Sequence, residues 1–371
     1  MDVGSTAFIL AATMAVALMV PGLALFYGGM VASRSILNMI MMVFGAVAVV
    51  GVLWTLFGFS AVFGNSYGGV GLLGDVTEYL GLGQLVAGDE TAALPPALVA
   101  VFQALFAVIT TALIAGAVAD RVRFGPWLLF TGLWATLVYF PVAHWVFAFD
   151  SADGSVQGGW IANTLGAVDF AGGTAVHINA GAAALALAIV LGKRRGWPRE
   201  PMRPHNLPFV MLGAGLLWFG WFGFNAGSAL GANGIAGFAM VNTIVATCAA
   251  MLGWLITEKV RDGKPTSLGA ASGVVAGLVA ITPSCSSVSP MGAILLGLIA
   301  GVLCALSVGL KFRFGYDDSL DVVGVHLVGG ILGTVLVGFL ADPGSPAGVT
   351  GLFYGGGVDQ LWRQIVGAAA V

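Results

Sequence analysis

Apolar runs long enough to cross a lipid bilayer recur along this sequence from one end to the other. A transmembrane helix needs about 20 consecutive, mainly apolar residues. Hydrophobic residues make up 58% of the 371 positions and charged residues only 8%, whereas an ordinary soluble domain is about a quarter charged. A soluble fold could not bury so much apolar surface in its core. The composition therefore predicts one polytopic membrane domain over residues 1–371, with the lipid bilayer as a partner.

Helices are the predicted form of these spans. The sequence is uniformly hydrophobic and rich in Gly and Ala, and it has no segments of about ten residues with the alternating hydrophobicity of a transmembrane β-barrel. We predict an all-α protein with eleven transmembrane helices. The predicted spans are 5–27, 37–62, 95–119, 125–147, 172–192, 206–228, 233–258, 267–282, 290–311 and 321–340, with an eleventh that begins near 356 and is incomplete at 371.

The basic residues predict an orientation. Of the fourteen Lys and Arg residues, thirteen lie in connections that follow odd-numbered spans, and only Arg363, in the eleventh span, lies elsewhere. The positive-inside rule places such connections in the cytoplasm, so the N-terminus is predicted outside a plasma or inner membrane. Because these cations form short clusters between spans rather than one basic face, no nucleic-acid partner is expected. The connections after even-numbered spans carry acidic residues instead: Asp75, Glu78, Asp89, Glu90, Asp150, Asp153 and Asp342.

Two histidines lie inside predicted spans, in similar surroundings. The segment DFAGGTAVHINAG (169–181) contains His177, and DVVGVHLVGG (321–330) contains His326. Hydrocarbon offers an imidazole no water, so an intramembrane histidine is a candidate functional residue. The alternative for either histidine alone is a core residue bonded to a neighbouring carbonyl. Their similar settings favour a pair that lines a pore.

The orientation of the two histidine spans predicts internal symmetry. Under the positive-inside topology the fifth span runs inward and the tenth runs outward. Five spans followed by five of opposite orientation form a 5+5 inverted repeat, and such repeats place a transport site at their interface near the bilayer midplane. The predicted halves are 5–192 and 206–340, followed by the final helix. No metal or other cofactor is expected, because no third His, Cys or carboxylate accompanies the histidines on the same turn.

Further candidate site residues gather on the predicted external side. Asp169 precedes the fifth span, where a carboxylate can accept the free N–H groups of a helix start. Its second interpretation is a fixed negative charge at the mouth of the pore. Aromatic residues accompany it, either as an interfacial belt or as a cation site built from ring faces around the hydroxyl of Ser228. These aromatic residues are Phe102, Phe106, Trp145, Phe147, Trp221, Phe222 and Phe224.

Seven motifs resemble those of one known family, in the same order. They are AHWVF (143–147), DFAGGTAVHINAG (169–181), HNLPFVMLG (205–213), WFGFNAGS (221–228), VNTIVATCAAMLGW (241–254), GLVAITPSC (277–285) and DVVGVH (321–326). The resemblance covers residues 5–365 and is to the ammonium transporter (Amt/Mep/Rh) family, specifically its Amt branch. It implies a homotrimer of eleven-helix protomers, with one pore through each protomer.

The resemblance also implies roles for the residues that line the pore. His177 and His326 match the twin pore histidines, which in models for the family conduct NH3 derived from ammonium and relay its proton. Phe106 and Phe224 match two stacked phenylalanines that form a gate.

Residues at the two ends of the pore match the family as well. The external recruitment site is matched by Phe102, Ser228 and Asp169, to which we add Trp221. Phe147 stands where the family usually has a tryptophan, so recruitment is expected to be weaker unless Trp145 compensates. Three acidic residues are expected near the cytoplasmic mouth, and the last of them matches the family's aspartate ahead of the second histidine. They are Asp317, Asp318 and Asp321.

The resemblance implies a transporter of ammonium or methylammonium rather than an enzyme. The sequence has no GxxxxGK[ST] motif, so transport driven directly by ATP is not expected. A PII-type (GlnK-like) protein is the cytoplasmic regulator that the resemblance suggests. The alternative function is an ammonium sensor domain of a fused signalling protein, with little or no transport. A gas channel of the Rh type is a third, less favoured interpretation.

Overall fold

The computed structural model describes residues 1–86, 92–200 and 202–371. Asp89 and Glu90, two of the acidic residues assigned above to an external connection, lie outside the described residues. Within the described ranges, regular structure is helical apart from two isolated β-bridges, Ser66 with Gly74 and Val288 with Ala341. The prediction of an all-α protein is confirmed.

Eleven principal helices form the described part of the chain. They are α1 Val3–Met30, α2 Ser33–Phe63, α3 Pro96–Val118, α4 Phe124–Phe147, α5 Gly173–Leu191, α6 Leu207–Gly227, α7 Gly234–Asp262, α8 Ser267–Ile281, α9 Pro290–Phe314, α10 Val323–Leu340 and α11 Asp359–Ala370. Shorter helical segments lie in the connections: Tyr67–Gly69, Leu80–Leu82, Gly83–Val86, Ile161–Leu165 and Leu352–Tyr354.

Nine of the described helices are long and apolar enough to cross a membrane, judged by length and composition. The other two are shorter, since α8 has 15 residues and α11 has 12. A 15-residue helix rises about 22 Å, less than the hydrocarbon core of about 30 Å. A multi-pass membrane protein is therefore supported, whereas the count of eleven spans and the external N-terminus remain predictions.

Side-chain caps fix where several helices begin. Each cap is a short polar residue just before the helix, and its oxygen accepts a backbone N–H of the first turn. This bond pairs one of the N–H groups that a helix start leaves free. The capping residues are Asp2 for α1, Asn206 for α6, Asn233 for α7, Thr266 for α8 and Ser289 for α9.

Five segments of the described chain are wound as π-helix. In this form the hydrogen bonds run from residue i to residue i+5, and single π turns occur often at functional sites. Two of the segments contain the pore histidines predicted from the sequence. The five are Trp54–Gly58, Ala135–Tyr139, Ile161–Leu165, Gly173–Ile178 and Val323–Leu327.

Glycines let several helix pairs pack with their backbones in contact. A Cβ added to Gly213 in α6 would lie 2.4 Å from the backbone nitrogen of Phe26 in α1. A Cβ added to Gly297 in α9 would lie 2.2 Å from the carbonyl oxygen of Ala246 in α7. Lipid gives apolar helices no hydrophobic reason to associate, so such close backbone packing is a main source of their cohesion.

Candidate functional site

The two predicted pore histidines are in direct contact. The Nδ1 atoms of His177 in α5 and His326 in α10 lie 3.2 Å apart, and the ring centroids 5.3 Å apart. The side chains are nearly inaccessible, at 1% and 4% exposure. In such a pair one imidazole donates its Nδ1–H to the lone pair of the other. The Nε2 atom of His177 has no hydrogen-bond partner among the described residues, which leaves one polar nitrogen free for a solute.

A reciprocal pair of glycines brings α5 and α10 together at the histidines. Gly181 and Gly330 each follow a pore histidine by four residues. A Cβ on Gly181 would lie 2.4 Å from the backbone nitrogen of Leu327, and one on Gly330 would lie 3.1 Å from that of Ile178. Leu327 and Ile178 each directly follow the opposite histidine. Backbone contact between the two helices therefore sets the spacing of the imidazoles.

Asp169, eight positions before the first histidine, caps the start of α5. Its Oδ1 accepts the backbone N–H groups of Gly172 (2.8 Å) and Gly173 (2.6 Å). Its Oδ2 accepts those of Thr174 (2.7 Å) and Ala175 (3.3 Å), together with the Thr174 hydroxyl at 2.5 Å. The carboxylate is 8% exposed. Five donors thus converge on one side chain, which is the helix-cap geometry foreseen from the sequence.

Asp318 holds the corresponding place at the start of α10, eight positions before the second histidine. Its carboxylate accepts the backbone N–H groups of Val322 (3.1 Å) and Val323 (2.7 Å). Burial, and secondly the charge of Asp321, raise the pKa of Asp318. Asp321, which the resemblance matched to the aspartate ahead of the second histidine, instead pairs with the ammonium group of Lys311 at 2.5 Å. Of the two residues, Asp318 is the geometric counterpart of Asp169.

Asp317, the first of the three acidic residues, is tied to arginines. Its carboxylate forms a salt bridge of 2.7 Å with Arg194, and its backbone carbonyl accepts a hydrogen bond of 2.6 Å from Arg121. Burial alone would raise the pKa of Asp317, but the hydrogen bonds and charge of Arg194, with the charge of Arg121, together lower that pKa. The three acidic residues therefore have three different environments.

Two stacked phenylalanine rings lie beside the histidine pair. The centroids of Phe106 and Phe224 are 3.9 Å apart and the rings are inclined by only 13°. Phe224 in turn lies 6.4 Å from the ring of His177. Both phenylalanines are at most 1% exposed. The stacked pair therefore adjoins the imidazole of His177 through Phe224.

Two of the predicted recruitment residues contact the stacked pair through Phe106. The rings of Phe102 and Phe147 are 5.1 and 6.1 Å from that of Phe106. Gly227, the residue before Ser228, packs against Phe102, because a Cβ added to it would lie 2.9 Å from the Phe102 ring. The Ser228 hydroxyl donates to a carbonyl one turn earlier in α6 at 2.8 Å. Its oxygen remains able to accept a hydrogen bond.

Two tryptophans that the sequence placed near the recruitment residues lie elsewhere. The indole N–H of Trp145 donates to the carbonyl of Leu72 at 2.8 Å. The ring of Trp221 stacks on that of His177, with centroids 5.3 Å apart and an inclination of 18°, and its N–H donates to the hydroxyl of Thr282 at 2.8 Å. Trp221 thus lies with the histidines, past the stacked phenylalanines.

A narrow cavity reaches from Phe224 to the two histidines. Its walls are apolar apart from a few side chains, and it is lined by Met19, Leu23, Phe26, Tyr27, Ile109, Leu113, His177, Leu217, Trp221, Phe224, Val275 and His326. A second narrow cavity also borders His326. It is lined by Phe26, Tyr27, Met30, Ser272, Val275, Leu320, Asp321, Val325 and His326. The two cavities have His326 in common, and together their mainly apolar linings extend from Phe224 to Asp321.

Sequence reasoning missed several polar residues near these cavities. Thr282 and Tyr27 lie in otherwise apolar segments, and nothing in their spacing indicated a role. The role of Asp318 as a cap could have been found, because it precedes His326 by the same eight positions that separate Asp169 from its histidine. In the described ranges, no group of three or more His, Cys, Asp or Glu residues could hold a metal ion.

Comparison with known proteins places the chain among transporters. The model of the Ammonium Transporter Family matches residues 7–371. The ammonium transporter of Mycobacterium tuberculosis (strain H37Rv) is 63% identical over 392 residues, covering 100% of this chain and 82% of the relative. The ammonium transporter of Bacillus subtilis is 48% identical, covering 100% and 88%.

Solved structures agree with this assignment. The crystal structure of Saccharomyces cerevisiae Mep2 is similar with a TM-score of 0.89 and 34% identity, covering 100% of this chain and 82% of that one. A structure described as "Sensor Amt Protein" has a TM-score of 0.89 and 29% identity, covering 99% and 89%. The resemblance seen in the sequence motifs is confirmed, and the chain belongs to the ammonium transporter family.

Proposed function

We propose that this protein conducts ammonium or methylammonium through a pore in each protomer of a homotrimer in the cell membrane. One observation carries the proposal: the Nδ1 atoms of His177 and His326 lie 3.2 Å apart within an apolar cavity. Its relatives from Mycobacterium tuberculosis and Bacillus subtilis are named ammonium transporters. A transporter rather than an enzyme is proposed.

Recruitment takes place on the outer side of the stacked phenylalanines. An ammonium ion there would contact the ring faces of Phe102 and Phe147, and it would donate a hydrogen bond to the oxygen of Ser228. Cation–π attraction at a partly desolvated site contributes about 1–2 kcal/mol. The negative charge of Asp169, close to Phe147 through the α5 start, favours a cation further. Phenylalanine has a weaker ring face than the tryptophan usual at position 147, so this site is weaker than one that has tryptophan.

The gate and the lumen then separate ammonium from other cations. The rings of Phe106 and Phe224 must part to admit the solute. Ammonium can give up a proton and cross the apolar cavity as neutral NH3, while the imidazole pair accepts and passes on the proton. Trp221 forms a wall of the lumen beside His177. K+ has no neutral form, so it would meet the full cost of a charge in an apolar lumen.

The proposed topology has eleven spans in a 5+5 inverted repeat plus a final helix, with the N-terminus outside. The reciprocal contacts of Gly181 and Gly330 support the repeat, because each glycine meets the residue after the opposite histidine. Equal spacing of Asp169 and Asp318 from their histidines also supports it. With this orientation the three acidic residues from Asp317 to Asp321 lie at the cytoplasmic mouth, where a PII-type (GlnK-like) regulator would bind.

An ammonium sensor is the second candidate function. It is favoured by one observation, the similarity to the structure described as "Sensor Amt Protein", at 29% identity. A sensor would bind ammonium at the recruitment residues but carry little flux. Transport measurements on the native chain therefore separate the two functions.

The decisive experiment measures ammonium-evoked and K+-evoked currents for the protein in a planar membrane. The native chain is compared with the double variant His177→Ala with His326→Ala. His205→Ala is the matched control, because this histidine lies outside the pore and its Nδ1 bonds the carbonyl of Val31 at 2.9 Å. We expect ammonium current without K+ current in the native chain and the control, and loss of discrimination against K+ in the double variant.

Two results would overturn this proposal. A native chain that binds ammonium but carries no current or uptake is a sensor rather than a transporter. A double variant that excludes K+ as well as the native chain does would show that the imidazoles are not the selective element.

A further inference from the structure

The last helix, α11, contacts the segment that leads into Asp169. This segment, residues 165–168, begins at the last residue of a π-wound turn, and residues 166–168 have no regular structure. Arg363, the one cation outside the positive-inside pattern, donates a hydrogen bond from Nη1 to the carbonyl of Leu165 at 3.0 Å. The amide of Gln360 approaches the carbonyl of Gly166 at 3.4 Å. Polar residues of α11 thus bond the carbonyls of Leu165 and Gly166, on the approach to Asp169.

Gln364 makes the central contact of this set. It is 0% exposed. Its Oε1 accepts the backbone N–H of Val168 at 2.6 Å, and its Nε2 donates to the carbonyl of the same residue at 2.8 Å. The Oε1 also accepts from Gln360 (2.9 Å), and the Nε2 also donates to the carbonyl of Thr334 in α10 (3.0 Å). All four hydrogen-bonding positions of the side-chain amide are therefore used.

The bonds of Gln364 fix the residue directly before Asp169. Val168 has both of its backbone polar groups bonded to this one side chain. The residue after Asp169 is held separately, because the N–H of Phe170 donates to the carbonyl of Pro283 at 3.1 Å. The residues on both sides of Asp169, whose carboxylate caps α5, are therefore held by hydrogen bonds. Gln364 makes those on the N-terminal side.

The same side chain reaches the second histidine helix. Thr334 lies in α10, eight residues beyond His326. The helices α10 and α11 are tightly packed, since a Cβ added to Gly338 would lie 2.4 Å from the Cα of Leu361. Gln364 therefore ties the segment before the first histidine to the helix that carries the second.

We propose that Gln364 is a positioning residue for the outer end of the pore. It acts by holding the carboxylate of Asp169 at the start of α5, and so sets how well the recruitment site binds ammonium. This inference rests on the proposed function. The amide group is essential to it, because an apolar side chain of the same size would leave the N–H and the carbonyl of Val168 unpaired in a buried place.

The test compares Gln364→Leu with Gln84→Leu, the same substitution at an exposed position outside α11. Gln84→Leu removes none of the hydrogen bonds on the approach to Asp169, so it serves as the control. Equilibrium binding of radiolabelled methylammonium to the purified protein and its uptake into vesicles are both measured. For Gln364→Leu we expect the half-saturating concentration to rise roughly tenfold, which is what the loss of about one hydrogen bond would produce, with a smaller change in maximal uptake. The control should stay close to the native protein.

A double-mutant cycle separates positioning from a general role in stability. Asp169→Glu retains a carboxylate but displaces it. If Gln364 acts through that carboxylate, Gln364→Leu adds little to the loss of affinity in the Asp169→Glu background, whereas independent effects would add. Gln364→Asn, which keeps the amide on a shorter side chain, is used in parallel and provides the result should Gln364→Leu fail to fold.

Each outcome supports or overturns the inference. Unchanged affinity in Gln364→Leu and Gln364→Asn, or fully additive losses in the cycle, would overturn it while leaving the transporter proposal intact. Absence of uptake by the native chain and the control would overturn the transporter proposal instead. Even then, the binding measurement would still report whether Gln364 sets the affinity.

Discussion

The two histidine helices, α5 and α10, both begin with an aspartate cap, but the two caps accept different numbers of hydrogen bonds. In each, an aspartate eight positions before the histidine accepts backbone N–H groups of the first turn. Asp169 receives five hydrogen bonds, one of them from a hydroxyl, whereas Asp318 receives two. Asp318 also has the charge of Asp321 beside it, and its pKa is raised by burial and by that charge.

The difference bears on the two ends of the proposed pore. Many donors around Asp169 stabilise a negative charge, which suits the end where the proposal has a cation attracted. Fewer donors and a raised pKa at Asp318 make its charge costlier to keep. This asymmetry supports the proposal that recruitment takes place at the Asp169 end and release at the Asp318 end.

The largest expected effect comes from removing the two carboxylate charges in turn. In Asp169→Asn the new NH2 group would face N–H donors, and several charge-assisted bonds of about 1.5–3 kcal/mol each would be lost. We expect methylammonium uptake to fall roughly a hundredfold or more, because 1.4 kcal/mol corresponds to a factor of ten. In Asp318→Asn, which affects two bonds, we expect roughly a tenfold loss. Both losses are measured as uptake per amount of membrane-inserted protein. Equal losses in the two variants would contradict the difference inferred between Asp169 and Asp318.

A smaller effect is expected from the glycines that bring the helices together. Gly181→Ala would place a Cβ 2.4 Å from the backbone nitrogen of Leu327, whereas Gly330→Ala would place one 2.8 Å from the carbonyl oxygen of Gly173. Overpacking of this kind costs about 1–3 kcal/mol, and the shorter contact should cost more. Thermal unfolding of the purified protein checks the order. Gly215→Ala is the control, because a Cβ there meets nothing within 4 Å; the reverse order for the two test variants would contradict the comparison.

The smallest expected effect concerns Phe147 and the affinity of the proposed recruitment site. Phe147 lies next to the start of α5, since a Cβ added to Gly172 would be 3.4 Å from its ring. In Phe147→Trp we expect the half-saturating concentration of methylammonium to fall about threefold, because an indole face attracts a cation more strongly by roughly 0.5–1 kcal/mol. Trp145→Phe should leave affinity unchanged, because that indole is bonded to Leu72. An unchanged affinity in Phe147→Trp would contradict the proposal that Phe147 weakens the recruitment site.

The positions of the long apolar helices along the chain were predictable from local sequence, because each of them is a continuous apolar run. The boundaries predicted for α6 and α9 begin within one residue of their capped starts at Leu207 and Pro290. The lengths of α8 and α11 were less predictable. A short helix with apolar flanks, such as Ser267–Ile281, reads in sequence like the middle of a complete span.

The candidate site was predictable where residues are close in sequence or share a motif. The contact between His177 and His326 joins positions 149 apart, and it was expected because the two segments are alike. The bonds of Gln364 to Val168 join positions 196 apart without any such likeness. Trp221 was assigned to the recruitment residues because it shares a motif with Ser228, but almost two turns of helix separate them. That spacing puts the two residues on nearly the same face but about 10 Å apart along the helix axis, too far for both to meet one small solute.

The π-wound turns at the two histidines have a consequence for changes in chain length. A π turn closes its hydrogen bonds over one more residue than an α turn does, so each of these helices carries what amounts to a stored one-residue insertion. Deleting one residue from Gly173–Ile178 would permit an ordinary α turn. The helix on either side would keep its register, because the π turn already absorbs the extra residue. A deletion in the α-wound part of the same helix has no such turn to absorb it, so it would rotate everything beyond it by about 100° and shift it by about 1.5 Å. The π-wound turns are therefore the places in these two helices where a change of one residue in chain length disturbs the packing least.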